Sequence, residues 1–188
     1  MGVERWEEAT PVTNTMPVVP LSHAERARIF GSFAWAANPT VDNPERISLT
    51  GDWVARNIIT VPTPQLMHLH VNTVRFHRLA VKQFLGLLNA WGSAGLIHHI
   101  ETWDGAFVPR LKRGHAGSSL ATDLSNHSWG TAFDVNAQWN RLGVKPAPLG
   151  QRGCVRELVS VAREFGFFWG GDFKRPDGMH FEVCKLLP

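Results

Sequence analysis

The feature that most constrains this chain is a ten-residue stretch, SNHSWGTAFD at 125–134, followed later by the short segment DGMHFE at 177–182. Together they carry two histidines, His127 and His180, and the carboxylate of Asp134. A mononuclear zinc site that leaves one coordination position open for water uses three nitrogen or oxygen ligands of this kind. The pattern therefore predicts that these three residues bind one zinc ion.

The spacing within the first stretch indicates how two of these ligands meet. Gly130 favours a turn, and residues 131–136 alternate as in a strand. We therefore expect His127 on the turn and Asp134 on the strand, with Ala132 keeping the floor of the site small. In isolation, such a pair is more often a buried hydrogen-bonded histidine and a capping aspartate. The complete ten-residue pattern is what favours a metal site.

Composition excludes several other classes of protein. The chain has 188 residues, which suffices for one domain with its own core. Its 19 basic and 16 acidic residues give a net charge of +3 with no basic stripe, so we expect no nucleic-acid partner. Two cysteines, Cys154 and Cys184, are too few for a zinc site built from thiolates. The chain has no long apolar run and no signal pattern, which predicts no stable membrane insertion.

The order of elements predicts a small α+β domain with a mainly antiparallel sheet and flanking helices. Residues 1–20 are interrupted by prolines and are predicted to form an extended arm. The predicted helices start at a capping box on Ser22 and run toward Trp35, and span about 73–94 and 154–165. The predicted strands cover 46–49, 57–61, 96–103, 131–136 and 179–184.

The stretch at 125–134 matches the pattern S-x-H-x-x-G-x-A-x-D at every fixed position. It resembles the zinc D,D-carboxypeptidase and L-alanyl-D-glutamate endopeptidase family, the VanY-type peptidases that cut peptidoglycan stem peptides. The resemblance covers about 57–183 and is densest over 105–136 and 165–182. It implies a domain like those of hedgehog and D-Ala-D-Ala peptidases, with zinc in a groove over the sheet. We expect this zinc peptidase domain to span 21–188.

The resemblance also implies a general base. In that family an acidic residue three positions before the last zinc ligand takes a proton from the attacking water, and Asp177 holds this position before His180. Glu182 is the competing candidate. We interpret it instead as the residue that orients the imidazole of His180 through its free N–H. Asp172 is a weaker rival, more typical of the turn in which it lies.

An arginine before the S-x-H stretch is implied as the partner of the negative charge that develops during hydrolysis. Arg110 is favoured, and Arg113, which adjoins a glycine turn, is the alternative. Ser125 is expected to form hydrogen bonds near the site and not to act as a nucleophile, because no free general base pairs with it. Three further histidines have no motif around them and are interpreted as surface or structural residues: His98, His99 and His115.

The function that we expect is a zinc metallopeptidase with one Zn²⁺ per chain and a peptidoglycan stem peptide as substrate. L-alanyl-D-glutamate endopeptidase activity in a phage endolysin comes first, and D-alanyl-D-alanine carboxypeptidase activity or a secreted antibacterial effector is the alternative. A zinc-stabilised binding module without turnover is the candidate from another class, and the presence of Asp177 argues against it. We expect a monomer made in the cytoplasm that reaches the periplasm or cell wall by holin-type release or machine-dependent secretion.

Overall fold

A computed structural model describes residues 19–188 of the chain. The predicted extended arm, residues 1–20, lies almost entirely outside the described residues. Within them the helices are α1 His23–Phe30, α2 Trp53–Asn57, α3 Val81–Ser93 and α4 Arg156–Glu164. The strands are β1 Ala34–Ala37, β2 Ile47–Thr50, β3 Ile58–Pro62, β4 Thr73–His77, β5 Trp103–Gly105, β6 Ala132–Val135, β7 Phe167–Trp169 and β8 His180–Val183.

The strands form three antiparallel sheets. β1 pairs with β2, β3 pairs with β4, and the largest sheet has the strand order β5-β6-β8-β7. This confirms the prediction of a small α+β domain with antiparallel pairing and a few helices. Of the helices in residues 19–188, none combines the length and apolarity that crossing a bilayer requires.

Aromatic packing fixes which face of the large sheet is buried. Phe133 of β6 and Phe181 of β8 lie opposite each other in the register, with ring centroids 5.4 Å apart. Trp91 of α3 packs edge-on against both rings and is fully buried. Because successive side chains of a strand alternate between faces, Asp134 and His180 must lie on the opposite face, away from α3.

The first helix begins as predicted but is shorter. Ser22 and Glu25 form both hydrogen bonds of a capping box at the start of α1. The helix ends at Phe30 because Gly31 adopts a positive φ of 86°. The prediction that the helix continues toward Trp35 is therefore wrong, and Trp35 lies in β1, paired with Leu49 of β2.

Residues 73–80 are not helical, which corrects the start of the helix predicted over 73–94. Val74 and Phe76 are buried while Thr73 and Arg75 are exposed, so the segment alternates as a strand does. Residues 73–77 pair with β3, and α3 starts only at Val81. Burial of Phe76 fits the period of a helix as well as that of a strand, and the pairing with β3 selects the strand.

The strand predicted over 96–103 is also wrong. Residues Ile97–His99 form a 3-10 helix, and the strand β5 begins only at Trp103. The side chain of Asn136 accepts the N–H groups of Glu101 and Thr102 at 2.8 and 3.0 Å and donates to the His99 carbonyl at 2.7 Å. The N–H groups of Glu101 and Thr102 and the carbonyl of His99 therefore bond to the Asn136 side chain and not to a neighbouring strand, which satisfies them without a strand at this position.

The remaining predicted elements lie close to where the sequence places them. The strands predicted at 46–49 and 57–61 exist, but they do not pair with each other, because α2 separates β2 from β3. Helix α4 and the strands β6 and β8 are confirmed within a few residues of the predicted bounds. The thiols of Cys154 and Cys184 are unpaired.

Candidate metal centre

The turn that carries His127 is a 3-10 helix, Asn126–Trp129, which leads directly into β6. Gly130 ends it in the left-handed conformation, with φ 63°. A side chain at Gly130 would place its Cβ 2.8 Å from the Cδ1 atom of Ile58 and 3.3 Å from the backbone nitrogen of His77, so a neighbour would have to shift to admit it. His127 therefore lies on a turn and Asp134 on the following strand, the local arrangement predicted from the sequence.

Three potential ligand atoms converge at this point of the sheet. The Nδ1 atom of His180 lies 2.9 Å from Oδ1 of Asp134 and 3.1 Å from Nε2 of His127. The third side of the triangle, from His127 Nε2 to Asp134 Oδ1, is 3.2 Å. The two histidines are buried and Asp134 is partly buried, and together they are the group of described residues that could hold a metal ion.

The far nitrogen of each imidazole is already occupied. Nδ1 of His127 lies 2.8 Å from the carbonyl oxygen of Ala106, which can only accept a hydrogen bond. Nε2 of His180 lies 3.0 Å from a carboxylate oxygen of Glu182. Both far nitrogens are therefore donors, and in the neutral form of each ring the near nitrogen carries a lone pair. Two lone pairs and a carboxylate oxygen at this spacing repel one another unless a cation lies between them.

The protonation of the metal-free site follows from this crowding. Burial alone would lower the pKa of His180, but the hydrogen bonds that its ring donates to the carboxylates of Asp134 and Glu182 raise it to about 10. Burial alone would raise the pKa of Asp134, but the charges and hydrogen bonds of His127 and His180 hold it well below its usual range. A proton on His180 thus supplies the positive charge that the three ligand atoms require.

The donor set fits a zinc ion in place of that proton. Tetrahedral zinc with bonds of about 2.0–2.1 Å to nitrogen and oxygen separates its ligand atoms by roughly 3.3 Å. The three separations in the site, 2.9 to 3.2 Å, are close to this value. Two imidazoles with a single carboxylate are also a common ligand set of catalytic zinc.

Asp177 adjoins the three ligands through the turn that leads into β8. The N–H of His180 donates to the Asp177 carbonyl at 3.0 Å, and the N–H of Asp177 donates to the Gly170 carbonyl at 2.9 Å. The Oδ1 atom of Asp177 is buried and has no hydrogen-bond partner among residues 19–188. Burial raises the pKa of this carboxyl group. A buried carboxylate oxygen without a partner is costly, and it is free to accept a proton from a substrate or water.

Glu182 holds the outer side of His180. One of its carboxylate oxygens accepts from the His180 ring and from the side-chain amide of Asn126, and the other accepts from Arg26 at 3.1 Å. Glu182 is 1% exposed, so its side chain is almost entirely enclosed by the protein. These contacts match the interpretation that Glu182 orients an imidazole, a role that remains a prediction.

The two candidate arginines have different surroundings. Arg113 donates to Glu45 at 2.7 Å and to Asn43 at 3.0 Å, so its guanidinium is engaged away from the ligands. The guanidinium of Arg110 donates only to the neighbouring Leu111 carbonyl, at 3.2 Å, among the described residues. Burial lowers the pKa of Arg110, while the nearby charge of Asp134 opposes that shift. The geometry favours Arg110 as the cation that faces the ligands.

The segment that carries Arg110 is fastened to the turn that carries His127. The hydroxyl of Ser128 donates to the Arg110 carbonyl at 2.8 Å and accepts from the Arg110 N–H at 3.0 Å. The N–H of Ser125 donates to the same carbonyl at 3.0 Å. Ser125 thus contributes through its backbone to holding the two segments together, and its side chain faces the same cavity as the ligands.

A cavity of about 460 Å³ lies at the candidate site. Its walls combine two of the predicted ligands, Asp134 and His180, and the catalytic candidates with cationic and apolar residues from three loops. They include Asp104, Arg110, Lys112, Arg113, His115, Ser125, Asn126, Asp134, Leu142, Phe173, Arg175, Asp177, Met179, His180 and Glu182. A cavity of this size can hold a short peptide segment.

The residues predicted to lie outside the site are placed as follows. Asp172 forms an exposed ion pair with Arg163 at 2.6 Å and is not among the residues that line the cavity. His98 and His99 line a separate, smaller cavity of about 270 Å³. His115 differs from them, since it borders the main cavity while its ring contacts Asp123 at 3.2 Å.

Sequence reasoning did not identify two residues that contact Glu182. Asn126 occupies a variable position of the ten-residue pattern, so the pattern does not mark it. Arg26 lies 156 positions from Glu182 along the chain, and no sequence period connects them. An arginine on the inner face of a short amphipathic helix is the one signal that could have pointed to Arg26, since such a residue needs a buried partner.

The family model of D-alanyl-D-alanine carboxypeptidases matches residues 119–183. This segment contains the three ligand residues, Asp177 and Glu182. No curated protein and no solved structure matches the chain. The family match supports the predicted relation to peptidases that act on peptidoglycan, and it does not select one peptide bond.

Proposed function

We propose that this protein is a zinc-dependent peptidase that cleaves peptidoglycan stem peptides. The observation that carries the proposal is the convergence of three ligand atoms beside Asp177, whose Oδ1 atom has no partner among the described residues. The family match over 119–183 supports a peptide as the substrate. Two of the three ligands, Asp134 and His180, line the same cavity as Asp177.

His127, Asp134 and His180 would hold the ion through Nε2, Oδ1 and Nδ1, in a groove over the large sheet. Zinc, when bound, acidifies a water molecule and polarises the scissile carbonyl group. The protein residues fix the ligand geometry: Ala106 and Glu182 accept the far N–H groups of the two imidazoles, so that the near nitrogens are available.

Asp177 would move the proton. Its unpartnered carboxylate takes the proton of the attacking water and returns it to the amine that leaves when the peptide bond breaks. Burial moves the pKa of Asp177 from its ordinary value toward neutral pH, which suits a group that must both accept and release a proton. Asp172 is a poorer candidate for this proton transfer, because its carboxylate forms an ion pair with Arg163.

Arg110 would stabilise the negative charge that develops on the carbonyl oxygen during attack. It is partly buried and lines the same cavity as Asp134 and Asp177. A cation held in a dry site contributes more to a transition state than one in water. Arg113, bound to Glu45, is placed to shape the wall of the cavity instead.

The bond that we propose is the one between L-alanine and D-glutamate, following the resemblance of the S-x-H-x-x-G-x-A-x-D stretch. Release of the C-terminal D-alanine is the second candidate, and it is the activity named in the description of the matching family. A binding module without turnover is the third, and the unpartnered oxygen of Asp177 argues against it, since a structural carboxylate would be expected to have partners.

We propose wall lysis as a phage endolysin as the biological setting, with a secreted antibacterial effector as the alternative. Expression in a Gram-negative host, with and without an added export signal, tests the site of action. Lysis that depends on the export signal is expected, because the substrate lies outside the cytoplasm. Equal lysis without export and without any accessory lysis protein would contradict this setting.

Digestion of purified sacculi tests the proposed activity. We expect the turbidity of the suspension to fall, a chelator to stop the reaction and added zinc to restore it. Mass spectrometry of the soluble products then identifies the bond: a new N-terminal D-glutamate indicates the endopeptidase, and free D-alanine indicates the carboxypeptidase. Binding to sacculi without any released product would show a binding module and refute the proposal.

A further inference from the structure

Arg26 is a fully buried arginine on α1, and in the sequence it lies well before the segment matched by the family model. Its Nη1 atom donates to the hydroxyl of Thr131 at 2.6 Å, and Nη2 donates to the Val183 carbonyl at 3.2 Å. Thr131 lies between two proposed zinc ligands in the sequence, and Val183 lies three residues after the third. One guanidinium therefore bonds to the residue that directly precedes β6 and to the last residue of β8.

Arg26 also forms an ion pair with Glu182. Nη2 of Arg26 lies 3.1 Å from Oε1 of Glu182, and the side chains are 0% and 1% exposed. Removing two charges from water costs several kcal/mol each, and a well-packed apolar pair often serves stability equally well. The Nε atom of Arg26 is moreover buried without a partner among residues 19–188. Stability alone is therefore a weak reason for this pair.

The other carboxylate oxygen of Glu182 connects this ion pair to the proposed metal site. Oε2 accepts the Nε2–H of His180 at 3.0 Å and also accepts from the side chain of Asn126. That contact fixes the hydrogen on the far nitrogen of the ring and turns Nδ1 toward Asp134 and His127. A carboxylate that bonds to a ligand imidazole in this way sets both its orientation and its basicity.

We propose that Arg26 is a positioning residue of the metal centre, which holds Glu182 in the rotamer that aims His180 Nδ1 at the metal. This inference rests on the proposed zinc site and extends it to α1. Without Arg26, Glu182 would lose the partner that fixes its carboxylate on this side, which favours another rotamer. That change weakens the hold on His180.

Helix α1 is itself fixed against the turn that carries His127, so it can hold the Arg26 side chain in a constant position. The indole N–H of Trp129 donates to the Gly31 carbonyl at 2.9 Å, directly after the end of α1. The rings of His23 and Trp129 lie edge-on, 5.4 Å apart. The guanidinium of Arg26 thus extends from a helix that is anchored at both of its ends.

The zinc affinity of the folded protein tests the proposal, measured by competition with a chromophoric chelator. We expect Arg26→Gln to raise the Kd about 10- to 100-fold, as removal of groups that support metal ligands does elsewhere. Arg28→Gln, an exposed arginine on the same helix, is the matched control and should leave the Kd unchanged. Glu182→Gln should weaken binding to a similar degree.

The double variant separates positioning from general destabilisation. If Arg26 acts through Glu182, combining Arg26→Gln with Glu182→Gln should weaken zinc binding little more than either change alone. A lower free energy of unfolding with an unchanged Kd in both Arg26→Gln and Arg26→Lys would overturn the proposal. Should the glutamine variant fail to fold, the lysine variant carries the test, since a lysine keeps the charge but cannot form the same fork of bonds; its Kd should rise several-fold.

The outcome is independent of the reaction. A wild-type protein that binds zinc but releases no product from sacculi would refute the proposed peptidase activity and leave the Arg26 measurement valid. A wild-type protein that binds no zinc would refute the metal site and the role of Arg26 together.

Discussion

Asp134 and His180 lie opposite each other on the antiparallel strands β6 and β8, with 2.9 Å between Oδ1 and Nδ1. The register of the sheet therefore sets the spacing of two of the three proposed ligands. The third, His127, is folded over the same point by the turn at Gly130. The site thus depends on one strand pairing and one glycine, both of which can be changed experimentally.

Gly130→Ala should destabilise the protein more than a glycine substitution at a similar backbone angle. Gly51 also has a positive φ, 77°, but nothing lies within 4 Å of its Cβ position, whereas a Cβ at Gly130 would collide with Ile58. We expect Gly51→Ala to cost about 1 kcal/mol and Gly130→Ala about 2–4 kcal/mol. Chemical denaturation checks both; equal losses would show that the contact with Ile58 is readily relieved.

Asp177→Asn should keep zinc and lose turnover. The residue is proposed to move protons and is not one of the three ligands, so metal content should persist while kcat falls by about 10²-fold or more. Asp172→Asn is the control, because it removes only an exposed ion pair with Arg163 and should leave kcat near the wild-type value. Loss of zinc from Asp177→Asn would identify Asp177 as a ligand, and normal turnover would transfer its role to Glu182.

Arg110→Lys should reduce kcat by about 10²-fold, the scale seen when one donor to a developing oxyanion is removed. Lysine keeps the charge but loses the rigid fork of the guanidinium. Arg113→Lys should leave kcat nearly unchanged, because Arg113 bonds to Glu45 and the Gly114 N–H still holds that carboxylate at 3.0 Å. Steady-state kinetics on a stem peptide decides, and the reverse pattern would assign the oxyanion role to Arg113.

Zinc uptake should release a proton at neutral pH. The pKa of His180 in the metal-free protein is raised to about 10, so its ring is protonated at pH 7, and zinc must displace that proton to bind Nδ1. Zinc affinity should therefore increase with pH between about 7 and 10 and then level off. Calorimetry in buffers of different ionisation enthalpy counts the protons; release of none from His180 would mean that its ring is neutral before zinc binds.

The metal-free protein should show the opposite dependence in its stability. Because folding raises the pKa of His180 above its ordinary value of 6.5, protonation stabilises the folded state fully below pH 6.5. This contribution is lost as the pH rises through about 10. Thermal unfolding in the presence of a chelator should show it, and His180→Gln, which cannot titrate, should flatten the curve in that window.

The sequence predicts which potential ligands lie together more accurately than it predicts the fold around them. Local turn and strand patterns suffice to place His127 near Asp134, whereas the pairing of β6 with β8 brings His180 to them. The segment at 73–77 shows the limit, since Phe76 fits a helical period as well as a strand, and only pairing with β3 distinguishes the two. Arg26 reaches the site from 156 positions away, and only the folded chain brings it to Glu182.

The strand predicted over 96–103 fails for a related reason. Its apolar residues are typical of a strand, but the side chain of Asn136 bonds to the backbone of 99–102 and imposes a different path. A single buried amide outweighs the local preference because it satisfies three backbone groups at once. Asn136 immediately follows β6, so the segment that positions Asp134 also determines this path.

The zinc content of purified protein, measured by atomic emission together with peptidase activity, tests the central claim most directly. We predict about one zinc per wild-type chain, and loss of both metal and activity in His127→Ala, Asp134→Ala and His180→Ala, because three protein ligands leave none in reserve. His98→Ala, a histidine outside the main cavity, should retain both. A wild-type protein with no bound transition metal and full activity in chelator would contradict the metal centre proposed for these residues.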